Sequence, residues 1–304
     1  MSDGAVSPPA RPRLWVFNLD AEIELGQGGA GYQSSERVRR ALAPLLPAAE
    51  RLLEPGDSSL DRLEAVGGRA PASSTTGWLG AAWCPTPSAL RRLARAGAEL
   101  PPCPAAAVLR RVNHRRFYLD LGGGAPGARY VNDEVELEST LRERRVWLFK
   151  RPFGFAGRGQ RRIPLEPSED DRRWLADGLR LGGIVAEPWL ELSGELGIHG
   201  LLDARGLLAL GDVCVQETDR YRAWVNTRRA APGEVAPTDV ARLRERATAV
   251  ADALTREGYF GPFGIDAYFF RTAAGPLVLN PLGELNARYS MGYPLGNPRL
   301  PGAR

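Results

Sequence analysis

From Thr238 to Glu257 the apolar residues Val240, Leu243, Ala247, Val250, Ala251 and Leu254 form one stripe along a single helix, which Gly258 closes. A stripe this long needs a broad apolar surface to cover, and both flanks offer strands. On one side Gly197–Leu202 and Leu207–Leu210 bracket the turn Asp203-Ala204-Arg205-Gly206. On the other, Gly264–Phe270 and Leu277–Asn280 bracket Thr272-Ala273-Ala274-Gly275. Hairpins beside a covering helix predict an α+β unit.

The earlier chain reads differently. Leu14-Trp15-Val16-Phe17 is a strand candidate that passes through a glycine-rich loop into a helical run from Glu36 to Leu46. A Gly/Pro/Ser/Thr-rich stretch from Gly67 to Gly80 follows, then a helix from Thr86 towards Gly97. Pro101-Pro102-Cys103-Pro104 is a linker, since successive prolines cannot donate to a helix or ladder. Beyond it come strands at Val146–Lys150 and Arg161–Leu165, a polar helix over Ser168–Leu181, and the run Ile184–Leu190. The fold class is α/β with α+β subdomains, in three parts: 1–104, 105–183 and 184–304.

Composition removes several classes of function. The chain of 304 residues has net charge +4 and a pI near 9.2, but its 36 acidic residues are interleaved with the basic ones. The basic clusters Arg110–Arg116 and Arg158–Arg162 lack an aromatic ladder or helix-turn-helix pattern, so no nucleic-acid partner is expected. Cys84, Cys103 and Cys214 are odd in number and widely spaced, which argues for a reducing compartment and against a zinc site. With no apolar leader and no run long enough to span a bilayer, the expectation is a cytoplasmic protein without a membrane partner.

The chain contains one lysine, Lys150, against 39 arginines. It ends an apolar strand and precedes Arg151-Pro152-Phe153-Gly154-Phe155-Ala156-Gly157-Arg158-Gly159, a loop whose glycine amides can approach phosphate oxygens. An ammonium is a compact point charge that a planar guanidinium does not replace at a tight phosphate site. Asp266, on an apolar strand, is an awkward buried acid unless it binds a cation. Glu284, Asn286 and Arg288 are spaced i, i+2, i+4, so an extended segment points them to one face. Asp266 and Glu284 lie across a turn from each other, and oxygen ligands of this kind suit magnesium.

The C-terminal half, roughly Val146 to Gly292, resembles the ATP-grasp superfamily, most strongly in Gly261–Tyr268 and Leu279–Gly292. The resemblance implies an ATP-grasp fold with an N-terminal α/β domain ahead of it, and ATP and Mg2+ as cofactors. It makes Asp266, Glu284 and Asn286 metal ligands, with Lys150 on the ATP phosphates and Arg288 on the reacting group. Gly154, Gly157 and Gly159 become the loop over the phosphates. Val185–Leu190 becomes the adenine hinge, with Glu187, Trp189 and Leu190 in reach of the base. Glu195 stands near the ribose, and Arg115 or Arg116, with Arg116 preferred, supplies the cation ahead of the glycine loop. The implied activity is an ADP-forming ligation of a small-molecule or peptide carboxylate to an amine, with a homodimer left open. A kinase-like phosphotransfer and a non-catalytic nucleotide-binding protein are the alternatives.

Gly26-Gln27-Gly28-Gly29-Ala30-Gly31 also fits G-x-G-x-x-G, with Glu50 about 20 residues on. Glu22 and Glu24, however, precede it where an apolar strand should feed the loop. The polar segment Phe17–Leu25 is expected instead to face the substrate cleft.

Overall fold

The computed structural model describes residues 11–29, 31–65, 77–154, 159–219, 224–272 and 275–300. The chain divides into two compact units, one drawn from Met1–Leu19 and Gln33–Pro102, the other from Asp20–Tyr32 and Cys103–Arg304.

The smaller unit is a three-stranded parallel sheet in the order Ser58–Ser59, Arg13–Val16, Leu79–Ala82. Leu14, Val16 and Ala82 meet Leu60, Ala89 and Leu93 from the connecting helices in one core. Parallel strands need such crossovers, and the helix Leu60–Ala65 belongs to the one between Ser58–Ser59 and Leu79–Ala82; Pro87–Arg95, with proline in its first turn, follows the last strand and leads to Glu99, which bridges Leu79 in parallel. Arg13 and Phe17 donate their backbone N–H groups to Asp57 and Asp61, at 2.8 and 2.7 Å, so carboxylates extend the pairing of the central strand.

The larger unit holds two sheets. The first is antiparallel, in the order Arg129–Val131, Ile184–Pro188, Trp147–Lys150, Gln160–Ile163. Trp147 and Phe149 point into a core with Ile163, Leu175 and Ile184, beneath the helices Glu134–Leu141 and Glu169–Arg180. Strand alternation therefore turns Leu148 and Lys150 to the opposite face. Ser168 and Asp171 form a capping box that starts the second helix where its sequence placed it.

The second sheet runs Trp224–Arg229, Cys214–Thr218, Leu192–Leu202, Gly261–Arg271, Leu277–Asn286, with Leu208–Leu210 paired to Leu192–Leu202. The helix Pro237–Arg256 lies on it and buries Leu243, Ala247, Val250, Ala251 and Leu254; Val240, at the same stripe's start, is half-buried. Tyr268 faces Asn280, but two residues back along one strand Asp266 faces Glu284, four residues on along the other. The bulge falls at Pro281-Leu282-Gly283 on the edge strand, where proline costs no ladder bond. A Cβ on Gly283 would lie 2.6 Å from the Tyr268 ring, so only glycine lets the bulge close on its neighbour.

Glu22 and Glu24 set the Gly26–Gly31 loop apart from a dinucleotide fingerprint, and the structure agrees. No strand feeds the Gly26–Gly31 loop: a short helix, Ala21–Gly26, precedes it, with Ala21 and Leu25 buried one turn apart. The strand-glycine-helix order of a dinucleotide site is absent. Among the described residues no helix is long and apolar enough to cross a membrane, and Cys84, Cys103 and Cys214 form no disulfide.

Candidate functional site

Lys150 ends its strand on the face away from the Trp147 core and is 6% exposed. Its Nζ lies 3.0 Å from Glu187 Oε2 and 3.7 Å from Glu284 Oε2. Glu187 reaches it because Leu148 and Glu187 face each other in the sheet, which puts Glu187 and Lys150 on one face. The lysine thus links the two sheets of the larger unit.

Arg115 opens the helix Arg115–Asp120 and is buried. Its Nη2 donates to Glu284 Oε1 at 2.9 Å, and its Nη1 donates to the carbonyl of Arg151, next to Lys150, at 3.0 Å. One turn on, the Tyr118 hydroxyl donates to Glu187 Oε1 at 3.4 Å. Burial, with Glu187 and Glu284 beside it, pushes the Tyr118 phenol well above its ordinary range. Burial alone would raise the Glu284 carboxyl, but Arg115 and Lys150 hold it below its usual value. Glu284 is therefore an anion between two cations.

Directly across the sheet from Glu284 stands Asp266. Its Oδ1 accepts from Gln216 Nε2 at 2.6 Å and its Oδ2 from Asn286 Nδ2 at 3.0 Å. Burial and the facing Glu284 raise its carboxyl to about 6. Asn286 in turn accepts from Arg288 Nη2 at 3.0 Å, so Asp266, Asn286 and Arg288 form one chain of bonds. Arg288 is also paired with Glu22, and both are buried.

The raised Asp266 carboxyl has a consequence for stability. The folded chain binds this proton more tightly than the unfolded one, so stability falls as pH rises through the window from 3.8 to about 6. The penalty above that window is at most about 3 kcal/mol, less where water reaches the half-buried group. In metal-free protein, the melting temperature of Asp266→Asn relative to the wild type should therefore rise between about pH 4 and about pH 6 and level off above about pH 7. A difference in melting temperature that stays flat with pH would show that Asp266 carries no such strain.

Of the residues singled out by sequence, Lys150, Glu187, Asp266, Glu284, Asn286 and Arg288 converge. Others do not. Arg116 lies on the exposed side of its helix, 3.6 Å from Asp120 and stacked on Tyr130; the neighbouring Arg115 takes the inward position. The Glu187 side chain is turned to Lys150 and Tyr118, so it is occupied by a cation and a phenol. The Trp189 N–H bonds the Val146 carbonyl at 2.9 Å, and the Arg162 guanidinium covers its ring at 4.8 Å; Leu190 beside it is half-buried. Glu195 accepts from the Thr218 hydroxyl next to Gln216.

Gly154 is half-buried. Gly159, with φ +77°, accepts from the Arg151 N–H at 2.7 Å and closes the base of the loop. Gly157 lies outside the described residues. Sequence reasoning missed Gln216, Tyr118 and the triplet Gly122-Gly123-Gly124, whose last member donates to the Leu282 carbonyl in the bulge at 2.8 Å. Three consecutive glycines were the available signal.

Among the described residues no group of three or more His, Cys, Asp and Glu side chains is placed to hold a metal. The candidate donor set is smaller, two carboxylates and an amide. Two acids face to face, one with a raised carboxyl, favour a divalent cation between them, and magnesium needs only one or two protein carboxylates when phosphates complete its shell.

No protein-family profile matches the sequence, and no curated protein matches it at a significant level. Solved structures do match in shape. Carboxyaminoimidazole ribonucleotide synthase from Aspergillus clavatus, complexed with ATP, is 16% identical with a TM-score of 0.50, over 92% of this chain and 71% of that one. The biotin carboxylase domain of Hydrogenobacter thermophilus 2-oxoglutarate carboxylase, complexed with MgADP, ADP and bicarbonate, is 15% identical with a TM-score of 0.51, over 93% and 65%. A pyruvate carboxylase variant from Rhizobium etli, with its activator acetyl coenzyme A, is 15% identical with a TM-score of 0.54, over 94% and 27%. The first two are ATP-grasp ligases, and the chain has the ATP-grasp fold that its C-terminal motifs resemble.

Proposed function

We propose that this chain is an ATP- and magnesium-dependent ligase that activates a carboxylate as its acyl phosphate and joins it to an amine, releasing ADP and phosphate. The observation that carries this reading is the meeting of Lys150, from one sheet, with Glu284 and Asp266, from the other, beside Arg115 and Arg288. Cations and oxygen ligands converge there in the proportion that phosphoryl transfer requires.

In this reading Lys150 and Arg115 hold the phosphates, and Arg288 offsets charge on the transferring group. Asp266 and Glu284 would hold magnesium with Asn286, and the metal would neutralise charge between the nucleotide oxygens. The substrate carboxylate takes the γ-phosphoryl group as the bond to ADP breaks. The amine then attacks the acyl carbon, the bond from that carbon to the phosphate oxygen breaks, and the amine gives up a proton. Glu187 keeps Lys150 aimed, and Tyr118, held neutral by its surroundings, serves as a hydrogen-bond donor to Glu187.

MgATP should raise the melting temperature, by an amount equivalent to about 2.7 kcal/mol at a hundredfold excess over Kd. NAD should leave it unchanged. The chemical test is ADP release from MgATP with a panel of amino acids and dipeptides, with mass spectrometry of the products. An amide formed in step with ADP is the expected result; ADP with a phosphorylated acceptor and no amide would make the protein a phosphotransferase instead.

A further inference from the structure

Glu22 lies in the helix Ala21–Gly26, within the segment Asp20–Tyr32 that belongs to the larger unit although the chain on either side of it belongs to the smaller. It is 4% exposed, and its ion-pair partner Arg288 is 7% exposed. Glu22 Oε1 accepts from Arg288 Nε and lies in ion-pair contact with its Nη2. Arg288 Nη1 donates to the Tyr289 carbonyl at 2.8 Å, and Nη2 also donates to Asn286 Oδ1 at 3.0 Å. Each guanidinium nitrogen therefore has a fixed partner, and the plane of the fork is set.

These partners are not equivalent. Asn286 and Tyr289 lie within two residues of Arg288 and are neutral, so they move with it. Glu22 arrives from 266 positions away in the sequence and is the anion among them. Its other oxygen, Oε2, is buried and receives no hydrogen bond among the described residues. Among the described residues the hydrogen bond of this carboxylate thus goes to Arg288 and not into a separate structural network. A buried guanidinium with no anion beside it would be strongly disfavoured, and Glu22 supplies one in direct contact, with Asp266 and Glu284 acting on Arg288 as well.

We infer that Glu22 is a positioning residue for Arg288: it fixes the guanidinium plane and offsets part of its charge without itself touching the reacting atoms. The inference rests on the ligase reading above, in which Arg288 faces the transferring group. It follows that the segment Asp20–Tyr32 completes the catalytic unit instead of merely connecting two parts of the smaller one.

The test is a double-mutant cycle of Glu22→Gln and Arg288→Lys, read as ADP formation from MgATP with the panel of amino acids and dipeptides, with a melting curve for each variant. Glu22→Gln is expected to lower kcat by about 10- to 100-fold, as loss of a partner that orients a site residue does. The KM for MgATP should change less than about 3-fold, since the loss falls on the transition state and not on nucleotide binding. In the Arg288→Lys background the same change should cost less than about 2-fold, because its route of action is already gone. Glu22→Asp keeps the anion and should recover much of the rate; Glu22→Ala replaces Glu22→Gln in the cycle if that variant does not fold. Losses that multiply in the double variant, or an unchanged kcat in the single one, would overturn the positioning role and leave the ligase reading standing. No ADP from the wild type with any member of the panel would overturn both.

Discussion

Lys150→Arg should fold like the wild type and form ADP about 100-fold more slowly, the order of loss that a displacement of roughly 1 Å can cause at a reacting centre. The ammonium sits in a closed space, 3.0 Å from Glu187 and 3.7 Å from Glu284, at 6% exposure. A guanidinium is wider and planar, and both carboxylates can bind it only by shifting it. Charge is kept, so the melting temperature should change little. Lys150→Ala differs in kind: it leaves the buried Glu187 with the Tyr118 hydroxyl as its side-chain hydrogen-bond donor among the described residues, and breaking a buried pair costs about 3–5 kcal/mol. That variant should be both inactive and clearly less stable. ADP formation and a melting curve for each variant separate the two effects. Wild-type activity in Lys150→Arg would remove the phosphate-binding role.

The parts of this site that sequence disclosed are those set by local rules. The Thr238–Glu257 stripe and the helix read over Ser168–Leu181 appear in place because periodicity and local polarity act within a few residues. Glu284 and Asn286 share a face because a strand alternates. Their pairing with Asp266 needed more than a hairpin. Continued from Tyr268 and Asn280 without a shift, the register would set Leu282, not Glu284, against Asp266. The bulge at Pro281-Leu282-Gly283 makes the acid pair, and no count of residues between the turn and the acids would have located it.

Tertiary choices were less legible. The run Arg110-Arg111-Val112-Asn113-His114-Arg115-Arg116 offers several cations, and which one turns inward depends on where the helix begins. Arg115 takes the first helical position, its N–H bonded to the Pro152 carbonyl at 2.9 Å, and that contact is set by a loop distant in sequence. Glu22 and Arg288 are farther apart still, and neither segment signals the other. The Gly26–Gly31 pattern misleads for the converse reason: the glycines match a fingerprint, but a helix stands where its strand should be.

The Glu284→Gln variant should lose ADP formation by on the order of 100-fold or more, since even outer partners of a metal site cost 10- to 100-fold when removed. The change keeps shape and removes charge from a group that accepts from Arg115 at 2.9 Å, lies 3.7 Å from Lys150 and faces Asp266. Two effects on stability then oppose each other. Arg115 loses its buried anion, which destabilises the fold; Asp266 loses a like charge that raises its carboxyl, which relieves it. Their opposition predicts a modest net change in melting temperature beside a large loss of rate. The magnesium concentration needed for half-maximal ADP formation should also rise, whereas a change confined to Arg115 would leave it where it was. Normal turnover of Glu284→Gln at ordinary magnesium would make this acid a structural clasp between the two sheets, and the metal assignment would fall with it.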